Sequence, residues 1–274
     1  MSGPLLPLRA RHCLITGAYG GIGAAIAARF AAEGALVTLL GRKEDKLRDL
    51  CAQLPPFCDS RLAPLTASAT AAAAKTTSPS EKPVHSYAVM DVSADGRDEA
   101  VLDDIWKRTG QIDVLVNAAG VAQFQLLQNT SPQAARELID TNLLGTIFMS
   151  RYMAQRMKRR RADRDACIIN VASLLAEKGS PGTSVYAASK AGIIGFTHAL
   201  SVELGPLRIR TNAIVPGYIE TNMLASMSRE PLEKRIPLGR LGRPEEVADA
   251  AAFLAQNTYA NNCILNLDGG LSAV

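Results

Sequence analysis

The sequence has few of the residues that build disulfide frameworks and metal sites. Its 274 residues include five cysteines, an odd number without C-x-x-C spacing, and three histidines without an H-E-x-x-H motif. Cys13 and Cys167 lie in apolar runs, where buried free thiols are common. These absences argue against a disulfide scaffold, a zinc site and a metal hydrolase, so we expect no metal and a reducing compartment inside the cell.

Long hydrophobic runs and a strong net charge are also missing. No apolar run approaches the ~20 residues that cross a bilayer, and the formal net charge of +4 is too mild to require nucleic acid as a partner. Residues 1–12 contain arginines and no acidic residue, as mitochondrial presequences do, but they run directly into the first apolar segment. We expect an intracellular protein of the cytoplasm or the mitochondrial matrix, without a membrane span.

Short apolar runs alternate with helical patterns along the chain. The helical patterns include residues 23–33, 142–158 and 185–204. Seven runs rich in Val, Ile or Leu predict buried strands, at residues 13–16, 36–40, 87–92, 114–116, 167–171, 209–215 and 264–267. This alternation predicts a single α/β domain over residues 1–274, with a doubly wound parallel sheet and helices on both faces.

Residues 55–83 interrupt this alternation. They are rich in Ala, Ser, Thr and Pro, and they have no hydrophobic periodicity. We interpret them as a flexible, low-complexity surface insertion between the second helix and the third strand, rather than as a segment with a function of its own.

A glycine-rich turn, TGAYGGIG at residues 16–23, follows the first predicted strand. Glycine lets a backbone turn sharply and approach a pyrophosphate, and the N-terminus of the next helix offers free N–H groups. Glycines could also form a tight turn without a ligand, but the position between the first strand and its helix favours a dinucleotide site. The predicted cofactor contacts in this turn are Gly17, Tyr19, Gly20, Gly21, Ile22 and Gly23.

Arg42 indicates which dinucleotide binds. It follows the second predicted strand, where an NAD-specific site usually carries an acidic residue for the ribose hydroxyls. A guanidinium at this position could instead bind a 2′-phosphate, which favours NADP(H). The alternative is that Arg42 and Lys43 only begin a solvated helix.

Tyr186 and Lys190 are four residues apart, so on a helix they share one face. A neighbouring ammonium is expected to lower the pKa of a tyrosine from its usual value near ~10. Ser173 follows the fifth predicted strand, at the sheet edge where α/β proteins bind ligands, and its hydroxyl is expected to hold a carbonyl oxygen beside Tyr186. A Y-x-x-x-K pattern alone is typical of any helix surface, but its combination with Ser173 and the glycine turn favours catalysis.

Together these motifs resemble the short-chain dehydrogenase/reductase family over nearly the whole chain. The resemblance implies a Rossmann-type fold, and it adds Asn142 to Ser173, Tyr186 and Lys190 as a catalytic tetrad in which Asn142 holds a water that relays protons to Lys190. It also implies further cofactor contacts, namely Asp91 and Val92 at the adenine, Asn117, Ala118 and Gly120 in the cleft, Tyr186, Lys190 at the nicotinamide ribose, and Pro216, Gly217, Ile219 and Thr221 near the nicotinamide.

Two positions depart from the family pattern. Ala118 stands where the family often has asparagine, and Gly20 stands where many NADP-dependent members have a basic residue. The preference for NADP therefore depends on Arg42.

Within the family, the nearest resemblance is to 3-oxoacyl-[acyl-carrier-protein] reductases, through phrases such as VPGYIETNM and RIPLGRLGRPEEVADAAAFL. This implies NADPH-dependent reduction of a 3-oxoacyl thioester to its 3-hydroxyacyl form, in fatty acid synthesis. Such enzymes meet an acidic acyl carrier protein, which the basic run RMKRRR at residues 156–161, with Arg164 beyond it, would attract. The same cations would also suit a solvated helix end.

Two further functions remain open from the sequence. One is a broad carbonyl, quinone or secondary-metabolite ketone reductase, which would use the same tetrad with a different pocket. The other is a non-catalytic NADP-binding partner subunit, against which the intact Ser173, Tyr186 and Lys190 argue.

Residues 218–235 are interpreted as a mobile lid over the substrate, with ordinary surface helix as the alternative. The segment contains two methionines, which adapt to apolar surfaces, and two serines, namely Met223, Ser226, Met227 and Ser228.

The resemblance also implies a homo-oligomer, a dimer or a tetramer. Small residues on the helix predicted at 185–204 permit close contact with a copy of the chain, namely Ala187, Ala188, Ala191, Gly192 and Gly195.

Overall fold

A computed structural model describes residues 7–57, 84–93, 99–158, 165–225 and 228–274. The predicted insertion at 55–83 lies outside the described residues except for positions 55–57. The same holds for Arg159–Arg161 and Arg164 of the basic run, and for Ser226 and Met227 of the predicted lid.

Seven strands form one parallel sheet in the order β3-β2-β1-β4-β5-β6-β7. The chain winds outward from β1 in both directions, and the resulting switch point between β1 and β4 opens a crevice at the carboxyl ends of the strands. The strands are β1 (His12–Thr16), β2 (Leu36–Gly41), β3 (Ser86–Val89), β4 (Val114–Asn117), β5 (Ala166–Val171), β6 (Ile209–Pro216) and β7 (Ile264–Leu267).

Helices cover both faces of the sheet, because successive side chains of the buried strands point to opposite sides. Cys13 and Ile15 of β1 pack in one apolar cluster with α1 and α8, whereas Leu14 packs in another with α3, α5 and α6. The helices are α1 (Gly21–Ala32), α2 (Glu44–Gln53), α3 (Glu99–Thr109), α4 (Pro132–Ile139), α5 (Gly145–Met157), α6 (Ser184–Leu204), α7 (Arg229–Glu233) and α8 (Pro244–Gln256). The predicted fold class is confirmed.

Two predicted elements differ from the structure. The third strand ends at Val89 instead of residue 92, because the Asp91 carboxylate accepts hydrogen bonds from the N–H and the hydroxyl of Ser93, at 3.0 and 2.7 Å, and turns the chain away from the sheet. The helix predicted from residue 142 begins as one π-helical turn, Asp140–Leu144, before α5. The boundaries of the other predicted elements differ by two residues at most.

The described residues of the predicted lid include two short helical segments. Residues Asn222–Leu224 form a 3-10 turn, and α7 follows after residues 226–227. No helix in the described part of the chain is long and apolar enough to cross a membrane.

Candidate active site

The glycine turn between β1 and α1 is packed too tightly to accept side chains. Gly17 has φ +61°, and a Cβ added there would lie 2.6 Å from the Cα of Ala119, while one added at Gly23 would collide with the carbonyl oxygen of Gly17. Gly20, the N-cap of α1, has no side chain to occupy the first N–H groups of the helix. The turn therefore leaves a cradle of backbone donors at the positive end of a helix, which suits a pyrophosphate.

Hydrogen bonds tie this turn to the loop after β4. The Thr16 hydroxyl accepts the N–H groups of Ala118 and Ala119, each at 3.2 Å. Asn117 is buried, and its Nδ2 donates to Ser150 Oγ at 3.0 Å and to Asn170 Oδ1 at 2.9 Å. Asn117 thus braces β4 against β5 below the crevice and keeps the next residues close to the glycine turn.

A cationic corner lies at the end of β2. The side chain of Arg42 is 57% exposed, and its guanidinium lies 3.8 Å from the Asp91 carboxylate. The ring of Tyr19 covers Gly41 so closely that a Cβ there would lie 2.6 Å from the ring edge. Arg42 thus remains open to solvent beside the Asp91 carboxylate, and Tyr19 occupies the space that a side chain at 41 would need.

Ser173, Tyr186 and Lys190 meet in one cavity at the carboxyl end of the sheet. Ser173 follows β5, and its hydroxyl, which accepts the N–H of Leu175 at 3.2 Å, lines the same cavity as the side chain of Tyr186 on α6. Lys190, one turn further along α6, donates to the carbonyl oxygen of Val171 at 2.8 Å, and its ammonium lies 5.8 Å from the centre of the Tyr186 ring. The helical spacing therefore places both side chains where the sequence predicted.

Asn142 lies behind this cavity, in the π-helical turn. It is fully buried, its Oδ1 accepts the N–H of Val121 at 2.8 Å, and its Nδ2 donates to Ser189 Oγ at 3.1 Å. A Cβ added at Gly120 would lie 3.3 Å from Asn142 Oδ1 and 3.5 Å from Lys190 Nζ. Gly120 thus occupies the space between Asn142 and Lys190, and its missing side chain lets them approach.

Burial governs the electrostatics of the two central groups. It lowers the pKa of Lys190 to about 8. Burial also raises the pKa of Tyr186, and the influence of the Ser173 hydroxyl offsets this only in part. The prediction that Lys190 lowers the pKa of Tyr186 below its usual value is therefore wrong, because desolvation of the phenol outweighs the other influences and the Lys190 ammonium is directed at Val171.

The segment after β6 closes the far side of the cavity. The Thr221 methyl packs against the glycine turn, so that a Cβ at Gly21 would lie 2.6 Å from it. Gly217 lies against Asp268, which an added Cβ would approach to 2.8 Å. The segment contributes Pro216, Gly217, Tyr218, Ile219, Thr221, Met223 and Leu224 to the cavity lining.

Asp91 and Val92 lie at the other end of the same sheet edge. Asp91 lines a neighbouring cavity together with Arg42. Val92 packs against Gly145, where an added Cβ would lie 2.9 Å from it. The predicted site residues therefore form a continuous row along the carboxyl ends of β1 to β6, from the Arg42 corner to Thr221.

The cavity around Tyr186 has a mainly apolar lining. It encloses about 170 Å³. Lys190 is the only charged side chain among its described lining residues, and the apolar surface comes from Phe124, Leu174, Leu175, Tyr218, Ile219, Met223 and Leu224. Among the described residues, no group of three or more His, Cys, Asp and Glu side chains could hold a metal ion.

Gln123 is a site residue that the sequence analysis missed. It is buried in the loop after β4, and its Oε1 accepts the N–H groups of Val185 and Tyr186 at 3.0 and 3.1 Å. No local pattern could have revealed this contact, because the partners are 62 and 63 residues apart.

Comparisons with known proteins agree with this geometry. A family model described as "Enoyl-(Acyl carrier protein) reductase" matches residues 62–272, and one described as "short chain dehydrogenase" matches residues 11–70. A 3-oxoacyl-[acyl-carrier-protein] reductase of Chlamydia muridarum is 37% identical over 269 residues, which cover 96% of this chain and 97% of that protein. The chain belongs to the short-chain dehydrogenase/reductase family. It is an oxidoreductase that acts on CH–OH and C=O groups.

Solved structures of the family are similar over nearly the full length. A 3-ketoacyl-(acyl-carrier-protein) reductase from Brucella melitensis, complexed with NADH, has a TM-score of 0.82 and 28% identity and covers 97% of this chain and 99% of its own. A gluconate 5-dehydrogenase from Burkholderia cenocepacia, in complex with NADP and tartrate, has a TM-score of 0.82 and 29% identity and covers 98% of both chains. Family members of this shape thus differ in cofactor and substrate.

Proposed function

We propose that this short-chain dehydrogenase/reductase reduces a 3-oxoacyl group, carried on an acyl carrier protein, to the 3-hydroxyacyl form with NADPH. The observation that carries the proposal is the mainly apolar cavity that Ser173, Tyr186 and Lys190 line together. An apolar lining suits an acyl chain, whereas a sugar acid would need charged or polar partners for its carboxylate and hydroxyls. The relative from Chlamydia muridarum, similar over nearly its full length, carries the name of this activity.

The residues present fit a dinucleotide along the row at the sheet edge. The glycine cradle of Gly17, Gly20, Gly21 and Gly23, with Tyr19 and Ile22, would hold the pyrophosphate, and Arg42 would bind the 2′-phosphate of NADP. When bound, the nicotinamide supplies a hydride to the carbonyl carbon. The remaining contacts would come from Asp91 and Val92 at the adenine, from Asn117, Ala118 and Gly120 in the cleft, and from Lys190, Pro216, Gly217, Ile219 and Thr221 at the nicotinamide end.

The chain's own residues would bind the carbonyl oxygen and supply its proton. Ser173 and Tyr186 hold the oxygen by their hydroxyls, and the raised pKa keeps Tyr186 protonated at neutral pH, as a proton donor must be. Once Tyr186 has transferred its proton, the nearby Lys190 ammonium stabilises the phenolate. Lys190, with a pKa of about 8, can then return a proton, and Asn142 behind Gly120 would hold the water that replenishes it.

Arg42 offers a direct test of the cofactor proposal. Replacing it by alanine should raise the dissociation constant for NADPH and leave that for NADH nearly unchanged, because only NADPH has the 2′-phosphate. Fluorescence titration of the protein with each cofactor measures this without turnover. Equal effects on both cofactors would contradict the NADP preference.

The carrier protein is part of the proposal because of the basic run that begins in the last turn of α5. Arg156 pairs with Asp103, and its guanidinium lies 3.5 Å from the centre of the Tyr152 ring, so it is committed to contacts within the chain. Lys158–Arg161 and Arg164 are therefore the residues proposed to attract an acidic carrier.

The substrate is tested by comparing acetoacetyl thioesters on a carrier protein and on a small thiol with a panel of ketones and quinones. Strong carrier-dependent turnover that falls when Arg159–Arg161 are neutralised would support the proposal. Turnover with free ketones or quinones alone would replace it by the broad carbonyl reductase and leave the role of Tyr186 intact. A protein that binds NADPH and reduces none of these would be the non-catalytic partner subunit.

A homo-oligomer is also proposed, from one face of α6. Ala188, Ala191 and Gly195 are exposed along this face. Val202, further along the same face, is 76% exposed. Such a stripe permits a second helix to approach closely. Gly192, predicted for the same stripe, instead packs inward against Leu143, where an added Cβ would lie 2.9 Å away.

A further inference from the structure

Gln123 joins two segments of the chain that meet at the cavity. Its Oε1 accepts from the N–H groups of Val185 and Tyr186, and its Nε2 donates to the Gln125 carbonyl oxygen at 3.2 Å and to Thr130 Oγ1 at 2.9 Å. Both halves of the carboxamide are therefore used, and the side chain is buried with 8% exposed. An apolar residue of the same size could fill the space but could make none of these bonds.

The first turn of α6 needs such a partner. The initial N–H groups of a helix have no acceptor within the helix, and they are usually capped by the side chain of the residue at the N-cap. Thr183, the N-cap of α6, makes no such bond. The acceptor comes instead from Gln123, on a different loop of the sheet edge.

This cap acts on the backbone of Tyr186 itself. The N–H of Tyr186 is bonded to Gln123, while its side chain lines one cavity with Ser173, which follows β5. The loop that carries Gln123 thereby fixes the backbone from which the phenol extends into the cavity beside Ser173. Because reaction rates depend steeply on the position of the reacting groups, a displacement of ~1 Å can cost about 100-fold in rate.

We propose that Gln123 is a positioning residue for the reduction, and that its carboxamide oxygen fixes the first turn of α6 so that the Tyr186 hydroxyl lies beside Ser173. The inference rests on the proposed function, since it assigns Gln123 a part in that reaction. Gln123 acts through Tyr186, so its loss should change kcat and leave cofactor binding unchanged.

The test compares three variants of the full chain with the wild type. Gln123→Met keeps the length of the side chain and removes its hydrogen bonds, whereas Gln123→Glu keeps an oxygen that can accept from Val185 and Tyr186. Gln133→Met is the matched control, because Gln133 is exposed on α4 and bonds only to Glu137 among the described residues. The measurements are amide hydrogen exchange at the start of α6, kcat and KM with a small acetoacetyl thioester, and the dissociation constant for NADPH.

In Gln123→Met, we expect exchange at Val185 and Tyr186 to be faster by about five-fold or more, since a helix cap has been lost. The kcat should fall by about 10- to 100-fold, with the dissociation constant for NADPH within about two-fold of wild type. Gln123→Glu should recover most of the protection and most of the kcat, and Gln133→Met should match the wild type.

Three results would overturn the proposal. The first is hydrogen exchange at the start of α6 that is unchanged in Gln123→Met. The second is a wild-type kcat in Gln123→Met although its amide protection is lost. The third is a kcat in Gln123→Glu as low as in Gln123→Met although the amide protection has returned. Exchange requires no turnover, so it separates this inference from the proposed function. If the wild type reduces no carbonyl, the proposed function fails and the catalytic part of this inference fails with it, whereas the exchange result still decides whether Gln123 caps α6.

Discussion

Lys190 and Tyr186 show how burial sets the chemistry at the scale of the residue. Both side chains lie in an apolar cavity, and in each case desolvation is the largest influence on the pKa and favours the neutral form. For Tyr186 this means a phenol that stays protonated at neutral pH. For Lys190 it means an ammonium that loses its proton within the pH range in which enzymes are assayed.

The pH dependence of reduction should therefore follow Lys190. Its pKa is lowered from 10.5 to about 8, so the ammonium is present below pH 8 and absent above it. We expect kcat/KM for the carbonyl substrate to fall as the pH rises through about 8, because the phenolate formed at Tyr186 then loses its stabilising charge. A profile that stays flat from pH 7 to well above pH 8, measured at a saturating NADPH concentration, would contradict this role of Lys190.

His12 makes a prediction about stability. It is buried in β1, its ring bonds to the Gln111 carbonyl oxygen and to the Thr38 hydroxyl, each at 2.8 Å, and burial lowers its pKa from 6.5 to about 4. Between these two values the unfolded chain binds a proton that the folded chain does not, so stability falls as the pH falls through this window. The loss between pH 7 and pH 5 should be about 2 kcal/mol.

Urea unfolding at the two pH values, in the wild type and in His12→Gln, measures this contribution. The variant should lose less stability than the wild type on acidification. An identical pH dependence in both proteins would show that other groups cause the loss.

At the scale of the element, the glycine turn is the part that the sequence predicted best. The chain can form it only with glycine at positions 17 and 23, since added Cβ atoms would meet backbone atoms. Such a requirement is visible in a sequence because it is local. The end of β3 and the π-helical turn at Asp140–Leu144 could not be predicted in the same way, because they depend on the hydrogen bond that the Ser93 hydroxyl donates to Asp91 and on the packing of Asn142.

Gly23→Ala should damage this element specifically. The added methyl group would collide with the Gly17 carbonyl oxygen, so the turn must open. We expect NADPH binding to weaken by more than about 10-fold, with a loss of about 1–3 kcal/mol in stability. Gly179→Ala is the control, because nothing lies within 4 Å of a Cβ at that position. Equal affinity for NADPH in both variants would refute the assignment of the turn.

At the scale of the whole molecule, the parallel sheet explains why residues far apart in the chain meet. Every strand ends at the same edge, so Arg42, Gly120, Ser173 and Thr221 share one crevice. The alternation of strands and helices was enough to predict this edge. The same alternation could not predict the contact of Gln123 with α6 or the direction in which the pKa of Tyr186 shifts. A cap between distant loops and the burial of a phenol arise only from the packed structure.

The exposed stripe on α6 leads to a prediction for the assembly. Ala191→Arg places a long cation in the middle of the stripe, which would prevent close approach of a second helix. Sedimentation should show the variant shifted to a smaller species, while its melting temperature at low concentration stays near that of the wild-type monomer. An unchanged oligomer would exclude this face as the contact.

The central claim, that Tyr186 donates the proton in a carbonyl reduction, is tested most directly by NADPH oxidation with an acetoacetyl thioester in the wild type and in Tyr186→Phe. The variant loses one hydroxyl and keeps the ring that fills the cavity. We predict that kcat falls by about 10²- to 10⁴-fold, with an unchanged dissociation constant for NADPH. A variant that keeps its kcat within a few-fold of wild type would contradict the account.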